Sequence, residues 1–423
     1  MPADPARKAA LDLLTAALGR KAGLESALET AAVARLSPQD RGFARALAMV
    51  TLRHLGPLDR ALAARLQREP PEAVRMILRM GAAQLFHLDV PAYAAVDSSV
   101  ALTQTSPETR GFKSLVNAVL RGLQRDGAPA EAPADFAPPW LYARWRAAFG
   151  AAVAEQVAAE IAAEPATDLT PRDAADAPAL AEALEAEVLP SGQLRRAGRG
   201  RIEEWPGFTE GRWWVQDAAA AIPARVLATQ PGETALDLCA APGGKALQLA
   251  ASGAQVVALD RSAARLRRLS EGLARTGLAA EIVAADALAW DDPRTFDAVL
   301  LDAPCTASGT FRRNPDVLWT LRPGDIAKLA EVQAQLLDAA AGRVKPGGRL
   351  VYCVCSLETE EGESQAKAFL RRQPDFATAP VDPAAVGAPA AALTPEAWLR
   401  LLPHQIPGGQ DGFFLARFDR TGP

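Results

Sequence analysis

Apolar residues recur at helical spacing through the first part of the chain. In the clearest example they fall at i, i+3, i+4, i+7, i+8 and i+11, on one face of a helix: Phe112, Leu115, Val116, Val119, Leu120 and Leu123. A shorter repeat consists of Val74, Ile77, Leu78 and Leu85. Arg75 and Arg79 lie on the opposite side of that second helix, where arginines usually form a solvated face. Residues 1–126 are therefore predicted to form a compact, all-α helical bundle.

The pattern changes after this bundle. Residues 127–138 are rich in Pro and Ala and predict a linker, and helical spacing returns with Leu141, Trp145 and Phe149. An acidic, alanine-rich stretch then precedes a basic segment, Arg195-Arg196-Ala-Gly-Arg199-Gly-Arg201. Such a segment forms a solvated loop or holds phosphates. We interpret residues 127–210 as a linker with a small accessory RNA-binding region.

From about residue 211 onward, short apolar runs alternate with helical segments, which is typical of a parallel α/β sheet. Residues 211–423 are therefore predicted to form an α/β, Rossmann-like domain. The longest predicted helix of this domain lies around Ile326–Ala341. The predicted strands are Thr234–Cys239, Gln255–Asp260, Ile282–Asp286, Phe296–Asp302 and Arg349–Ser356.

Acidic residues stand at or near the ends of four of these strands. Because ligands of open α/β sheets bind beyond the carboxyl ends of the strands, these acids should line one rim: Asp237, Asp260, Asp286 and Asp302. The alternative is that they only form turns. The turn after the first strand is no phosphate loop, because Cys239 and Ala246 replace the glycine and hydroxyl residue that one requires.

Asp260 follows Asp237 by 23 residues, about the spacing at which an acid binds ribose hydroxyls. A nucleoside site without a pyrophosphate loop points to S-adenosylmethionine as the cofactor.

Composition and charge exclude few classes of protein. The net charge is −4, but residues 1–126 hold 17 Lys and Arg against 12 Asp and Glu, whereas residues 127–210 hold 7 against 14. Binding to polyanions depends on local clusters, so the acidic total does not exclude nucleic acid. The sequence has no secretory pattern and no apolar run of membrane-spanning length. We therefore expect a cytoplasmic protein with reduced thiols and no membrane association.

All four cysteines lie in the back half of the chain: Cys239, Cys305, Cys353 and Cys355. Carbon 5 of cytosine becomes nucleophilic only after something adds to carbon 6, and a thiolate is the strongest common protein nucleophile. A cysteine near a methyl-donor site, with a second cysteine opposite, is therefore typical of a pyrimidine C5-methyltransferase. The alternative is that the cysteines pack as small apolar residues, an interpretation we favour for Cys239.

A metal site is not predicted. Zinc ligands usually come in pairs with wider spacing than that of Cys353 and Cys355. The histidines, His54, His87 and His404, are scattered along the sequence.

The front segment resembles the RNA-binding antitermination factors of the NusB family. The resemblance rests on the order of its helices and on four stretches, and it implies contact with RNA: Ala9-Ala-Leu-Asp-Leu-Leu14, Asp40-Arg-Gly-Phe-Ala-Arg45, Ala94-Ala-Val-Asp-Ser-Ser-Val100 and Phe112-Lys-Ser-Leu-Val-Asn-Ala-Val-Leu-Arg121.

Residues 211–423 resemble the RNA cytosine-5 methyltransferases of the Sun/RsmB group. Together with the NusB-like front, the resemblance covers nearly the whole chain and implies 16S rRNA as the substrate. It rests on Val215-Gln-Asp217, Asp237-Leu-Cys-Ala-Ala-Pro-Gly-Gly-Lys245, Asp302-Ala-Pro-Cys-Thr-Ala-Ser-Gly-Thr-Phe-Arg-Arg-Asn-Pro-Asp316, Val351-Tyr-Cys-Val-Cys-Ser356 with Glu358 and Glu361, and Asp411-Gly-Phe-Phe-Leu-Ala-Arg417.

The resemblance also implies a role for each site residue. Cys355 is the nucleophile, and Cys305 assists release of the product. Asp260 binds the ribose hydroxyls, Asp286 lies by the adenine, and Asp302 lies between the cofactor and the flipped base. The methionine and ribose side is lined by Cys239, Ala240, Ala241, Pro242, Gly243, Gly244 and Lys245.

Two departures from the family pattern stand out. Cys353-Val354 replaces the usual Ala/Ser-Thr pair, so Cys353 is a candidate substitute for Cys355. Leu169-Thr-Pro-Arg-Asp173 replaces an Arg-Val-Asn strand. The alternatives are a methyltransferase acting on an exocyclic amine, which the Asp302-Ala-Pro-Cys305 motif disfavours, a DNA cytosine-5 methyltransferase that attacks with Cys305, and a non-enzymatic RNA-binding or assembly factor. We expect a monomer.

Overall fold

The computed structural model describes residues 4–19, 23–28, 31–198 and 200–422, and these fall into two compact units. The first unit extends to Glu164 and includes the separate segment Phe311–Leu321. The second unit combines Pro165–Thr310 with the chain from Arg322 onward. The boundaries at residues 126 and 210 remain predictions. Within the described ranges, no helix is long and apolar enough to cross a membrane.

The helices of the described residues are α1 Pro5–Gly19, α2 Gly23–Leu28, α3 Ala31–Ala34, α4 Pro38–Arg53, α5 Leu55–Ala63, α6 Glu72–His87, α7 Ala92–Leu102, α8 Pro107–Arg110, α9 Lys113–Asp126, α10 Pro139–Phe149, α11 Ala151–Ala159, α12 Ala177–Leu184, α13 Ala218–Leu227, α14 Gly244–Ala251, α15 Ala263–Thr276, α16 Asp316–Thr320, α17 Pro323–Ala341, α18 Glu363–Arg372 and α19 Pro383–Val386. The strands are β1 Thr167–Pro171, β2 Glu187–Val188, β3 Leu194–Arg196, β4 Trp213–Val215, β5 Thr234–Leu238, β6 Gln255–Asp260, β7 Glu281–Ala284, β8 Phe296–Asp302, β9 Val344–Val354, β10 Phe376–Thr378, β11 Leu399–Leu401 and β12 Phe413–Arg420.

The first unit is helical, as the spacing predicts. The apolar face of α9 is buried at Val116, Val119, Leu120 and Leu123, in a common core with residues of α1, α4 and α6. Arg79 differs from the expected solvated face, because it is only 8% exposed. It donates to both oxygens of Asp59 at 2.7 and 2.8 Å and therefore has a structural role.

A small antiparallel sheet opens the second unit. Its strands lie in the order β2-β3-β1-β4, and α12 packs on it with a core of Leu169, Leu180, Leu194 and Trp213. The segment Leu169–Asp173, which departs from the family pattern, contributes most of β1 and still pairs with β3 and β4.

The large sheet has the strand order β10-β12-β9-β8-β5-β6-β7, with β11 paired to β12. Strands β9, β8, β5, β6 and β7 are parallel, as predicted, and β6 and β8 have the predicted bounds. The sheet is mixed, however, because β12 runs antiparallel to β9 and pairs Leu415 with Cys353. The apolar run Phe413–Phe418 forms this strand, which covers the edge of β9 that would otherwise remain unpaired.

Candidate active site

Cys305 and Cys355 come together at the carboxyl ends of β8 and β9. Cys305 follows β8 by three residues, Cys355 directly follows β9, and the two Sγ atoms are 3.5 Å apart. Both side chains are half-buried free thiols. The hydrogen bond with Cys355, together with burial, raises the pKa of Cys305 well above its ordinary value. The pair therefore combines a thiol that keeps its proton with a second sulfur in direct contact.

Cys353 has a different environment. It is fully buried within β9, where it packs with Leu415 and the apolar core on that side of the sheet. Its thiol donates to Asp302 Oδ1 at 3.5 Å, and burial followed by the charge of Asp302 raises its pKa well above the ordinary value. A buried thiol held as the neutral form suits packing better than nucleophilic attack.

The turn after β5 begins α14. Gly243 has φ +116°, and an added Cβ there would lie 2.5 Å from Leu269 Cδ1, so only glycine fits this position. Cys239 also has a positive φ, packs partly against the core, and has a pKa raised to about 12 by burial and by Asp302 and Asp260. These features favour a packing role for its thiol.

Lys245 and Asp302 form an ion pair across this rim. Lys245 Nζ lies 2.7 Å from Asp302 Oδ2, and the lysine side chain is almost completely buried. Burial alone would lower the pKa of Lys245, but Asp302 and the other neighbouring groups raise it above the ordinary value. The pair links the turn that follows β5 to the strand that leads to Cys305.

Asp237 lies on the predicted rim, and it is not among the residues to which the family resemblance assigns a role. It is fully buried, and neither of its carboxylate oxygens has a hydrogen-bond partner in the described part of the chain. Burial raises its pKa to about 8, with Asp302 and Asp260 acting in the same direction and Lys245 against it. A buried carboxyl group without a partner next to a rim is a common sign of a ligand that donates to it.

Asp260 and Asp286 differ in exposure. Asp260 is buried and accepts hydrogen bonds from the backbone N–H groups of Ser262 at 2.8 Å and Ala241 at 3.2 Å. Its Oδ2, which takes the Ala241 N–H, also accepts from Arg265 at 3.5 Å, so Oδ1 is the oxygen that retains a second lone pair. Asp286 is exposed two residues after β7 and accepts from the Leu288 N–H at 3.0 Å. Asp260 and Asp302 thus both act on the pKa of Asp237, and Asp286 lies beyond the next strand.

The basic segment of the middle region is largely structural. Arg195 is buried and donates to both oxygens of Asp168 at 2.7 and 2.8 Å. Arg196 stacks on the Trp205 ring at 4.2 Å. Arg201 is exposed and pairs with Glu204, and Arg199 lies outside the described residues. Arg195 and Arg196 therefore use their charges inside the protein, whereas the exposed Arg201 remains compatible with a solvated loop or a phosphate site.

Two of the histidines described above as scattered are neighbours in the first unit. The His54 and His87 rings stack with centroids 3.6 Å apart, and Glu131 Oε1 lies 2.8 Å from His54 Nδ1 and 3.4 Å from His87 Nε2. The three ligand atoms are close enough to hold a metal ion. The ring planes differ by only 16°, so their nitrogen lone pairs point side by side instead of toward one point. His54 hydrogen-bonds to Glu131, but His87 Nε2 has no hydrogen-bond partner among the described residues.

A helical unit, an α/β sheet with an acidic rim and a pair of thiols at its carboxyl edge together define a methyltransferase of the class that modifies nucleic-acid bases. Two family models match the chain: the NusB family over residues 4–125 and the 16S rRNA methyltransferase RsmB/F family over residues 224–419. The chain belongs to the RsmB/F family of 16S rRNA methyltransferases.

Full-length relatives support this membership. Ribosomal RNA small subunit methyltransferase B of Xanthomonas campestris pv. campestris is 37% identical over 97% of this chain and 96% of its own length. The enzyme of the same name from Vibrio cholerae serotype O1 is 36% identical over 84% of this chain and 87% of its own length. Among solved structures, PH0851 matches in fold with a TM-score of 0.79, 24% identity, and coverage of 99% of this chain and 100% of that one. A methyltransferase homologue from Pyrococcus horikoshii has a TM-score of 0.57 at 26% identity, over 67% of this chain and 95% of that one.

Proposed function

We propose that this chain methylates carbon 5 of a cytosine in 16S rRNA, with S-adenosylmethionine as the methyl donor. The observation that carries the proposal is the contact between the Cys305 and Cys355 thiols, 3.5 Å apart, at the end of the sheet where the acidic rim lies. A methyltransferase that acts on an exocyclic amine needs no protein nucleophile, so its reaction would not use this pair of thiols.

The residues of the rim suit the donor. Asp260 Oδ1 retains an acceptor lone pair for a ribose hydroxyl, and Asp286 is exposed just after β7, where the adenine would lie. Asp237 offers an unpartnered buried carboxyl group to a cationic or hydroxyl donor. Asp302 and the turn Cys239, Ala240, Ala241, Pro242, Gly243, Gly244 and Lys245 complete the site. When bound, S-adenosylmethionine supplies an electrophilic methyl group on a sulfonium.

The chemistry divides between the two cysteines. The target cytosine leaves its stack and enters the site, as reactions on bases require. The Cys355 sulfur, as a thiolate, forms a bond to carbon 6, and the electron pair of the 5,6 double bond moves to carbon 5. The electron pair on carbon 5 then forms the bond to the methyl group, and the bond from that methyl group to the donor sulfur breaks. The carbon-5 proton passes to a water, or to Cys305 after that thiol has released its own proton. The bond from carbon 6 to the Cys355 sulfur then breaks, and the double bond re-forms.

The front unit supplies contacts to RNA in this proposal. Residues 4–125 match the NusB family, and residues 1–126 carry an excess of Lys and Arg over Asp and Glu. Positive charge on this unit would attract the phosphate backbone and make the affinity depend on salt. We further propose that the protein acts in the cytoplasm as a monomer.

The direct test is methyl transfer to unmodified 16S rRNA with labelled donor, followed by mapping of 5-methylcytosine. We expect a labelled methyl group on carbon 5 of cytosine with the natural chain and no label with Cys355→Ala. Methylation of DNA but not of RNA would favour the DNA cytosine-5 methyltransferase. Tight RNA binding with no donor binding and no methylation would favour a non-enzymatic assembly factor.

A further inference from the structure

Glu361 is a fully buried acid in the segment between β9 and α18. Its Oε1 accepts from the Thr306 N–H at 2.9 Å and from Gln333 Nε2 at 3.0 Å. Its Oε2 accepts from the Thr306 and Ser356 hydroxyls, both at 2.5 Å. A carboxylate offers about four lone-pair sites, so these donors fill its acceptor capacity. Burial of this acid is thus compensated by neutral donors.

Most of the hydrogen-bond donors to Glu361 come from the two segments that carry the thiols. Thr306 directly follows Cys305, and Ser356 directly follows Cys355, so the two hydroxyls that share Glu361 Oε2 come from the two thiol-bearing segments. The hydroxyls themselves are 3.1 Å apart. The shared oxygen therefore fixes the spacing of the two segments one residue away from the sulfurs.

Neighbouring contacts hold Glu361 in place. The Tyr352 hydroxyl donates to the Glu361 carbonyl at 2.5 Å, which ties the acid to β9. Ser308 Oγ accepts from the Leu357 N–H at 2.9 Å and adds a second bond between the two thiol-bearing segments. Gln333 reaches the carboxylate from α17. Contacts from β9 and from α17 thus both fix the position of Glu361.

We propose that Glu361 is a positioning residue that holds the Cys305 thiol against the Cys355 thiol. Its catalytic consequence rests on the proposed function, since the two thiols act in succession on one base. The charge of Glu361 also contributes to the raised pKa of Cys305, after the hydrogen bond with Cys355 and burial. It therefore helps Cys305 to remain a proton-bearing thiol while Cys355 attacks.

Oxidation of the full-length protein by diamide tests how close the Cys305 and Cys355 thiols are, and it does not depend on methyltransferase activity. Two thiols lose two electrons and two protons to the diazene, which becomes a hydrazine, and a Cys305–Cys355 disulfide forms. In Glu361→Gln, one acceptor oxygen becomes an NH₂ group that faces existing donors, so the segments should separate. We expect disulfide formation to slow about tenfold and kcat to fall about 100-fold, with KM for RNA nearly unchanged.

Glu331→Gln on the exposed side of α17 is the matched control and should behave like the natural chain in every assay. Melting temperature and donor binding establish that Glu361→Gln is folded. If that variant does not fold, Thr306→Val and Ser356→Ala each remove one donor and should slow the oxidation by a smaller factor. The proposal would be overturned if folded Glu361→Gln, or both donor variants, formed the disulfide as fast as the natural chain.

The outcomes also separate this inference from the proposed function. If the natural chain methylates no RNA but Glu361→Gln slows the disulfide, the positioning role stands and the proposed function fails. If the natural chain methylates cytosine and Glu361→Gln changes neither kcat nor the oxidation rate, the proposed function stands and the positioning role fails.

Discussion

The Cys305 and Cys355 thiols contact each other, whereas the Cys353 thiol, two residues before Cys355, points to Asp302. Strand β9 ends at Val354, so Cys353 lies within the sheet and Cys355 lies just beyond it. The extra thiol of this chain is therefore separated from the thiol pair by the end of the strand.

The three cysteines should give three different phenotypes with RNA and donor present. Cys355→Ala removes the attacking sulfur and should abolish methylation and any covalent protein–RNA adduct. Cys305→Ala should still attack and transfer, then accumulate an adduct that is visible on a denaturing gel, because release is impaired. Cys353→Ala should retain activity. Exchanged phenotypes for Cys305 and Cys355 would indicate the DNA-type mechanism, and an inactive Cys353→Ala beside an active Cys355→Ala would identify Cys353 as the nucleophile.

Loss of the Asp260 carboxylate should weaken donor binding. A hydrogen bond to a charged group contributes about 1.5–3 kcal/mol, so Asp260→Ala should raise the dissociation constant for S-adenosylmethionine at least tenfold in calorimetry. Asp338→Ala is a suitable control, because that partly exposed acid on α17 pairs with Arg372 of α18. Equal affinity of Asp260→Ala and the natural chain would remove Asp260 from the site.

Much of the fold follows from local pattern. The apolar stripe of α9 and the short runs that form β6 and β8 predict their elements, because in each of them burial follows the period of the structure. Strand β12 was not predicted as an element of the sheet. Its position depends on pairing with β9 about 60 residues earlier, and pairing over such a distance leaves no local signal.

The site shows the same division. The motifs bring Cys305, Cys355 and Asp302 to one edge, because strand order and parallel direction determine where strand ends meet. The absence of hydrogen-bond partners for Asp237 among the described residues and the burial of Arg195 depend on how distant segments pack. The spacing of residues in the sequence does not predict such packing. Glu361 belongs to a motif quoted from the sequence, but its shared donors become visible only with the side chains in place.

Arg195 should matter for stability and little for RNA. Its guanidinium also donates to the carbonyls of Pro407 at 2.6 Å and Gly409 at 2.7 Å. Removal of one partner from a buried ion pair costs about 3–5 kcal/mol, so Arg195→Met should lower the free energy of unfolding by that order in urea titration. The exposed Arg201→Ala should leave stability within about 0.5 kcal/mol. A stable Arg195→Met with a reduced salt dependence of RNA binding would restore the phosphate-binding interpretation.

His87 should make a contribution to the stability of the full chain that is lost in mild acid. Burial, with His54 acting in the same direction, lowers the pKa of His87 from 6.5 to about 4, although Glu131 opposes the shift. Above pH 6.5 the ring is neutral in both the folded and unfolded states, and its full contribution to stability is present. Between pH 6.5 and 4 the unfolded chain binds a proton that the folded chain does not, so the free energy of unfolding decreases.

Partial exposure reduces the effect, and we expect a loss of about 1–2 kcal/mol between pH 7.5 and 4.5. Urea unfolding measures it as the difference between a His404→Gln chain and the same chain with His87→Gln, because burial also lowers the pKa of His404 and the raised pKa of Asp237 stabilises the fold as the pH falls over this window. On acidification the chain with His87→Gln should lose less stability than its parent by this amount. An unchanged slope would show that His87 titrates as it does in the unfolded chain, and that the cluster with Glu131 is open in solution.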